Sequence, residues 1–244
     1  MTIGLRNLSV GYERHPAVHH LGGQFTDGSL TAVIGPNGGG KSTLLKALIG
    51  FLPPMTGHID FNGVRSNEIA YLPQQSEVDR SFPLTVRDVV MLGFWSRIGA
   101  FSGTTKMQQE KVLQALGQVG MQAFADRPIS ALSTGQWQRV LFARLIVQDA
   151  RVLLLDEPFA AIDGRTAHDL MHILQHWQHE GRTVISVMHD LPMVRDHFPQ
   201  ALMLARELIA WGPTADVLRD ENLARAAALA TNWVEHAHEC ERAA

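Results

Sequence analysis

Cysteine is nearly absent: Cys240 is the only one in 244 residues. No internal disulfide can form, which fits a reducing compartment. Lysine is scarce as well, with Lys41, Lys46, Lys106 and Lys111 the full set. Positive charge has no excess, since 21 Lys+Arg face 24 Asp+Glu for a formal charge of -3. Such a chain lacks the basic footprint that holds nucleic acid through its phosphates, so no nucleic-acid partner is expected. No apolar run approaches about 18 residues, so no membrane-spanning helix is expected. Met1 to Arg6 shows no charged stretch leading into an apolar one, so no secretory signal is expected either. What remains is the composition of a folded protein, 45% hydrophobic and 18% charged. That argues against disorder. The length suits one or two domains of about 150 residues, able to bury roughly 70–75% of the unfolded surface. Internal repeats and low-complexity tracts are missing.

Apolar runs mark the strands. Ile3, Leu5, Leu8 and Val10 alternate and lead to a turn near Gly11. Residues 30–34 (LTAVI), 152–155 (VLLL) and 183–187 (TVISV) are short, continuously apolar and bounded by glycine or charge, the pattern of strands buried on both faces. Residues 201–204 and 208–210 read as late strands, closed by Gly212-Pro213. Residues 41–49 carry Leu44, Leu45, Leu48 and Ile49 on one face and predict a helix that Gly50 and Pro53-Pro54 end. The pattern turns helical from Thr85 to Gln148, with Thr85 and Asp88 as a capping box that uses Asp in place of Glu. Residues 164–180 and the Ala-rich end after 215 also read as helix. Short buried strands separated by helices imply an α/β protein with a mostly parallel sheet covered on both faces, the helical block inserted between its halves.

Gly35-Pro36-Asn37-Gly38-Gly39-Gly40-Lys41-Ser42-Thr43 matches G-x-x-x-x-G-K-[ST], between a predicted strand and a predicted helix. Small residues let the backbone wrap a phosphate and aim its N–H groups inward. The helix that starts near Lys41 turns its positive end to the same anion. Lys41 is placed to reach the terminal phosphates, and the Ser42 hydroxyl to ligate Mg²⁺. Asp156 and Glu157 end the 152–155 run. A carboxylate at that strand mouth lies beside the phosphate loop of the same sheet. Asp156 is the candidate to hold the Mg²⁺ shell, and Glu157 to orient or deprotonate the attacking water. Ser133-x-x-Gln136 is a further capping box, so a helix starts there and offers an anion site.

These motifs, in this order, resemble the ATP-binding subunits of ABC transporters, over about residues 3–220. Leu132-Ser133-Thr134-Gly135-Gln136, followed by Gln138 and Arg139, resembles the signature motif LSGGQ of that family. The resemblance implies a P-loop (RecA-like) core at 1–84 and 149–215 that includes a small antiparallel β-subdomain, an inserted helical subdomain at 85–148 and a C-terminal helical tail at 216–244. It places Gln74 at the Q-loop, where it joins Ser42 and Asp156 around Mg²⁺, and Ala160-Ala161-Ile162-Asp163 at the D-loop. It makes His189 the switch histidine and Tyr12 the residue that stacks on adenine. Ser133, Gly135 and Gln136 would then meet the γ-phosphate of ATP held by a second copy, so two copies sandwich two ATP molecules head to tail. Two positions depart from the family. Thr134 replaces the usual glycine, a costly change if φ is positive and a small one inside a first helical turn. Ala160 replaces the common D-loop serine.

The stretch from Ile69 through Gln74 to Val86, with Glu157-Pro158-Phe159, is similar to ATPases of zinc/manganese importers. That implies ATP hydrolysis powering metal-ion import from the cytoplasmic face of the membrane, through a multi-span permease. A metal-binding protein on the other side would deliver the ion. Phe94, Trp95 and Phe101 are candidate permease anchors, with burial in the helical block as the alternative. A soluble ABC ATPase of the iron–sulfur assembly type is the competing reading. His168, His172, His176 and His179 share one helix face, and His236, His238 and Cys240 lie near the end. Both groups are weighed as transition-metal sites against a solvated helix face and a frayed tail.

Overall fold

The structure, a computed structural model, describes residues 2–13, 15–75, 79–95 and 103–240, the last ten by backbone alone. Nine strands are described: β1 (Ile3–Tyr12), β2 (His15–Phe25), β3 (Leu30–Ile34), β4 (Thr56–Asp60), β5 (Ile69–Leu72), β6 (Val152–Asp156), β7 (Thr183–Val187), β8 (Gln200–Ala205) and β9 (Glu207–Pro213). They form a three-stranded antiparallel sheet, β2-β1-β4, and a six-stranded sheet, β5-β6-β7-β3-β8-β9. In the larger sheet every pairing is parallel except β8 with the edge strand β9.

β3, β5, β6 and β7 are buried at every residue. Their apolar runs serve two cores at once. Along β6, Leu153 and Leu155 enter one apolar cluster, while Val152 and Leu154 enter the other. The alternation is the period-two geometry of a strand between two covered faces. Helix α1 (Lys41–Leu48) packs with the antiparallel sheet on one face. On the other face lie α2 (Val86–Met91), α3 (Lys106–Gln118), α4 (Thr134–Gln148) and α5 (Gly164–His179). Three more helices follow: α6 (Leu191–His197), α7 (Thr214–Val217) and α8 (Asp220–Cys240).

The capping chemistry forms as the residues dictate. Thr85 Oγ1 accepts from the Asp88 N–H at 3.2 Å and Asp88 Oδ2 accepts from the Thr85 N–H at 2.9 Å, so the shorter Asp closes the box. Ser133 and Gln136 do the same at the head of α4, at 3.3 and 3.1 Å. Thr134 is the first residue of that helix and is not among the positive-φ residues, so its β-branch is not strained. The first strand outruns the expected turn. Gly11 pairs with Pro16 inside the β1–β2 ladder, where a Cβ would stand 1.9 Å from the His15 carbonyl oxygen.

Since β3, β6 and β7 run parallel, their C-terminal ends meet at one edge. The loop after β3, the last residue of β6 and the residues after β7 are thereby brought together, which is where open α/β sheets bind ligands.

Candidate active site

The phosphate loop is shaped by its glycines. Gly35 has φ 140, and a Cβ there would lie 1.9 Å from the Leu204 carbonyl oxygen. Gly40 caps α1 in the left-handed region at φ 90, its missing Cβ 2.4 Å from the Ala17 carbonyl oxygen. No larger residue fits either place. Around this loop lies an open cavity of about 640 Å³, lined by Ala17, Asn37, Gly38, Gly39, Gly40, Lys41, Ser42, Thr43, Gln74, Glu157 and His189.

Lys41 is 6% exposed, and its Nζ donates to the carbonyl oxygens of Gly35 and Pro36, both at 2.9 Å. Burial pulls its pKa below that of a free lysine, while the charges of Glu157 and Asp156 pull it back up. Two backbone carbonyls thus hold an ammonium group at the rim of a cavity that can take an anion. Ser42 Oγ donates to Asp156 Oδ1 at 3.0 Å. The Tyr71 hydroxyl reaches Asp156 Oδ2 at 3.4 Å. Asp156 is 1% exposed. A hydroxyl and a carboxylate oxygen side by side beneath a phosphate loop are hard donors that suit Mg²⁺.

Glu157 follows with φ 51, a left-handed conformation uncommon for a side chain of its size. The turn lifts its carboxylate out of the sheet edge, between two partners. Gln74 Nε2 donates to Glu157 Oε2 at 3.1 Å, and His189 Nε2 lies 2.6 Å from Glu157 Oε1. His189 stands at the end of β7, just before Asp190 caps α6 through the Met193 N–H at 3.0 Å. Gln74, Glu157 and His189, remote in sequence, therefore form one hydrogen-bonded set at the cavity wall. Local strain of this kind gathers where chemistry is done.

Other predicted residues stand apart from the cavity lining. Ser133, Gly135 and Gln136 head α4 beside the Asp163 segment; a Cβ on Gly135 would be 3.6 Å from Asp163 Oδ2. Asp163 caps α5, accepting from the Thr166 N–H at 2.9 Å and the Thr166 hydroxyl at 2.8 Å. The Thr166 N–H, then its hydroxyl, holds the Asp163 carboxyl below its usual range. Ala161, in the same segment, has φ 56. Tyr12 ends β1 half exposed. Pro36 lends Lys41 its carbonyl and Gly35 shapes the loop from behind, outside the cavity wall.

Of the candidate anchors, Phe94 is buried at 4%, so it belongs to the core and not to a docking surface; its ring packs into the cluster under α2 and α4. Trp95 is 58% exposed and Phe101 lies outside the described residues. Trp95 borders a groove of about 430 Å³ with Phe51, Tyr71, Pro73 and Leu92. The histidines of α5 all face solvent, His168 and His172 with ring centroids 4.4 Å apart and His176 beside Glu180 at 3.2 Å. Among the described residues no three metal-ligating groups converge. The side chains of His236, His238 and Cys240 lie outside the described residues. Sequence reasoning missed Ala17, Tyr71 and Gln75, whose roles depend on strand pairing and loop packing that leave no local signal.

A mostly parallel sheet with a phosphate loop after its central strand, a Ser–Asp pair whose carboxylate is buried and a second carboxylate between Gln and His define a P-loop nucleoside-triphosphatase. Residues 18–160 match the ABC transporter family. The chain is 40% identical over 225 residues to the manganese transport system ATP-binding protein MntB of Bacillus subtilis, covering 91% of this chain and 90% of that one. It is 38% identical to the zinc transport system ATP-binding protein TroB of Treponema pallidum, covering 90% and 84%. Among solved structures it superposes with a TM-score of 0.81 and 29% identity on an ABC transporter assigned to the metal-chelate type, in an inward-facing conformation, covering 91% and 87%. The chain belongs to the ABC transporter family, as an ATP-binding subunit with ATPase activity.

Proposed function

We propose that this chain hydrolyses ATP to drive import of a divalent metal ion, manganese or zinc, through a membrane permease. The observation that carries the ATPase chemistry is the convergence of Gln74, Glu157 and His189 on the cavity whose floor is the phosphate loop. ATP enters with its phosphates in the loop: backbone N–H groups and Lys41 take the β- and γ-phosphates, and Tyr12 stacks on adenine. Ser42, Asp156 and Gln74 would hold Mg²⁺, which neutralises charge that develops on the phosphate oxygens. Glu157 accepts a proton from water as the water oxygen bonds to the γ-phosphorus. The β–γ bridging bond breaks, and ADP and phosphate leave. His189 holds Glu157 and faces the γ-phosphate.

The signature residues Ser133, Gly135 and Gln136, with Asp163, face a second copy, so closure of a head-to-tail homodimer completes each site. No described helix is long and apolar enough to cross a membrane. The exposed Phe51, Leu92 and Trp95 around the groove beside Pro73 and Gln74 supply an apolar, aromatic surface of the kind that anchors a partner. We assign it to the permease, on the cytoplasmic face of the membrane, with an extracytoplasmic metal-binding protein as indirect partner. The transport systems named for both curated relatives favour this over soluble iron–sulfur assembly.

The test is a tagged Glu157→Gln variant, extracted from membranes in mild detergent with ATP and Mg²⁺. A multi-span membrane protein should co-purify, and zinc or manganese uptake should fall when that protein is removed. Recovery of soluble partners alone would overturn the transporter assignment.

A further inference from the structure

Two adjacent glutamines reach in different directions. Gln74 Nε2 holds Glu157 at the nucleotide cavity, while Gln75 Nε2 donates to Gln138 Oε1 at 2.6 Å. Gln138 sits in α4 and is 1% exposed. Four residues before it, at the head of the same helix, is Thr134 of the signature segment. Five residues further along the chain, Arg80 Nη1 donates to the Leu132 carbonyl oxygen at 3.4 Å, just ahead of Ser133. On another side of α4, Arg139 Nη2 donates to Asp169 Oδ2 at 2.8 Å and to Thr166 Oγ1 at 3.3 Å, tying the helix to α5.

The helix that presents the signature residues is therefore gripped from two directions. Arg139 fixes it against α5, and Gln138 fixes it to the residue next to the one that touches the general base. A buried amide oxygen with a 2.6 Å partner is not readily given up, because losing that partner strands it away from water. A displacement at Gln74 must move the Gln75 peptide, and the short bond passes that movement to α4.

We propose that Gln75 and Gln138 are positioning residues, a clasp that sets the signature segment according to what occupies the nucleotide cavity. This rests on the head-to-tail closure proposed above. The clasp touches neither nucleotide nor reacting water and acts through Gln74 and α4.

The experiment uses the full chain in a Glu157→Gln background, with ATP, Mg²⁺ and sedimentation to follow dimer formation. Gln75→Met and Gln138→Met are made singly and together; both keep the side-chain length. Fluorescent-nucleotide binding to the monomer and Tm are measured beside dimerisation. The expected result is dimerisation weakened about tenfold in each single variant, with monomer affinity for nucleotide unchanged. The double variant should lose no more than the worse single, because both remove one bond. Singles that dimerise like the parent overturn the proposal. So do losses that multiply in the double variant, or a fall in nucleotide affinity and Tm together, which would mark a merely structural contact. If the Glu157→Gln parent itself stays monomeric with ATP, the closure reading falls and takes the clasp with it.

Discussion

Replacing Glu157 by Gln removes the only property that the proposed chemistry demands of it, a basic oxygen, and leaves its surroundings nearly intact. In the structure Oε2 accepts from Gln74 at 3.1 Å and Oε1 faces His189 at 2.6 Å. The Gln carbonyl oxygen can still accept from Gln74. Its NH₂ can donate to His189 Nε2 when the imidazole carries its proton on Nδ1. Both contacts survive, so the fold should lose under about 1 kcal/mol and Tm should move by no more than about 2–4 °C. General-base catalysis contributes about 10²–10⁴ in rate, roughly 3–5 kcal/mol of barrier. Phosphate release by purified protein should thus fall by two to four powers of ten, roughly that range, while ATP binding persists. The assay pairs steady-state phosphate release with nucleotide binding and thermal melting. Turnover within about threefold of wild type, at unchanged ATP affinity, would refute the role of Glu157, since a base worth two decades cannot be dispensed with.

Lys41→Ala should lower ATP affinity at least a hundredfold or so by removing charge-assisted contacts to the phosphates, as equilibrium binding would read; it also takes their donor from the Gly35 and Pro36 carbonyls. Gly35→Ala should lower Tm by about 4–8 °C, from a cost of at least about 2 kcal/mol, because its methyl meets the Leu204 carbonyl oxygen at 1.9 Å; calorimetry without nucleotide reads this. Asp163→Ala should lower Tm at neutral pH by uncapping α5. The Thr166 N–H and hydroxyl depress the Asp163 pKa in the folded state, so its contribution is present above the unfolded carboxyl value and lost as pH falls through the folded one. The difference in Tm from wild type should therefore shrink at acid pH, to what a protonated carboxyl still contributes as an acceptor, and a pH series of melts checks it.

Three buried strands of the large sheet were legible because each is an apolar run that stops at glycine or charge: β3 before Gly35, β6 at Asp156, β7 before His189; β5, only four residues long, was not. Helix starts were legible where a side chain closes its own box, at Thr85 and Ser133. β2 was not. Its HPAVHHLGGQF has no alternation, and the β1–β2 ladder is broken by register shifts beside the left-handed Asn7 and His20. β4 was not either, since none of its residues is buried. α6 was missed because its signals, the Asp190 cap and Pro192 in the first turn, sit directly against a strand end. Phe94 and Trp95 are neighbours of like chemistry, and the turn of one short helix decides which is buried. The site divided in the same way. Lys41, Ser42 and Asp156 belong to local patterns, whereas the Gln75–Gln138 bond spans 63 residues and exists only once the loop has folded on α4.

The separation of the signature segment from its own chain's phosphate cavity has a consequence for mixed populations. In the head-to-tail pair proposed above, every site draws its loop from one copy and its signature from the other. A chain damaged only at Lys41 and a chain damaged only at Ser133 each fail when pure. Combined in one pair, they send both lesions to the same site and leave the other with an intact loop and an intact signature. Two dead alleles of this protein should therefore complement each other, and the restored site is one that neither parent possesses.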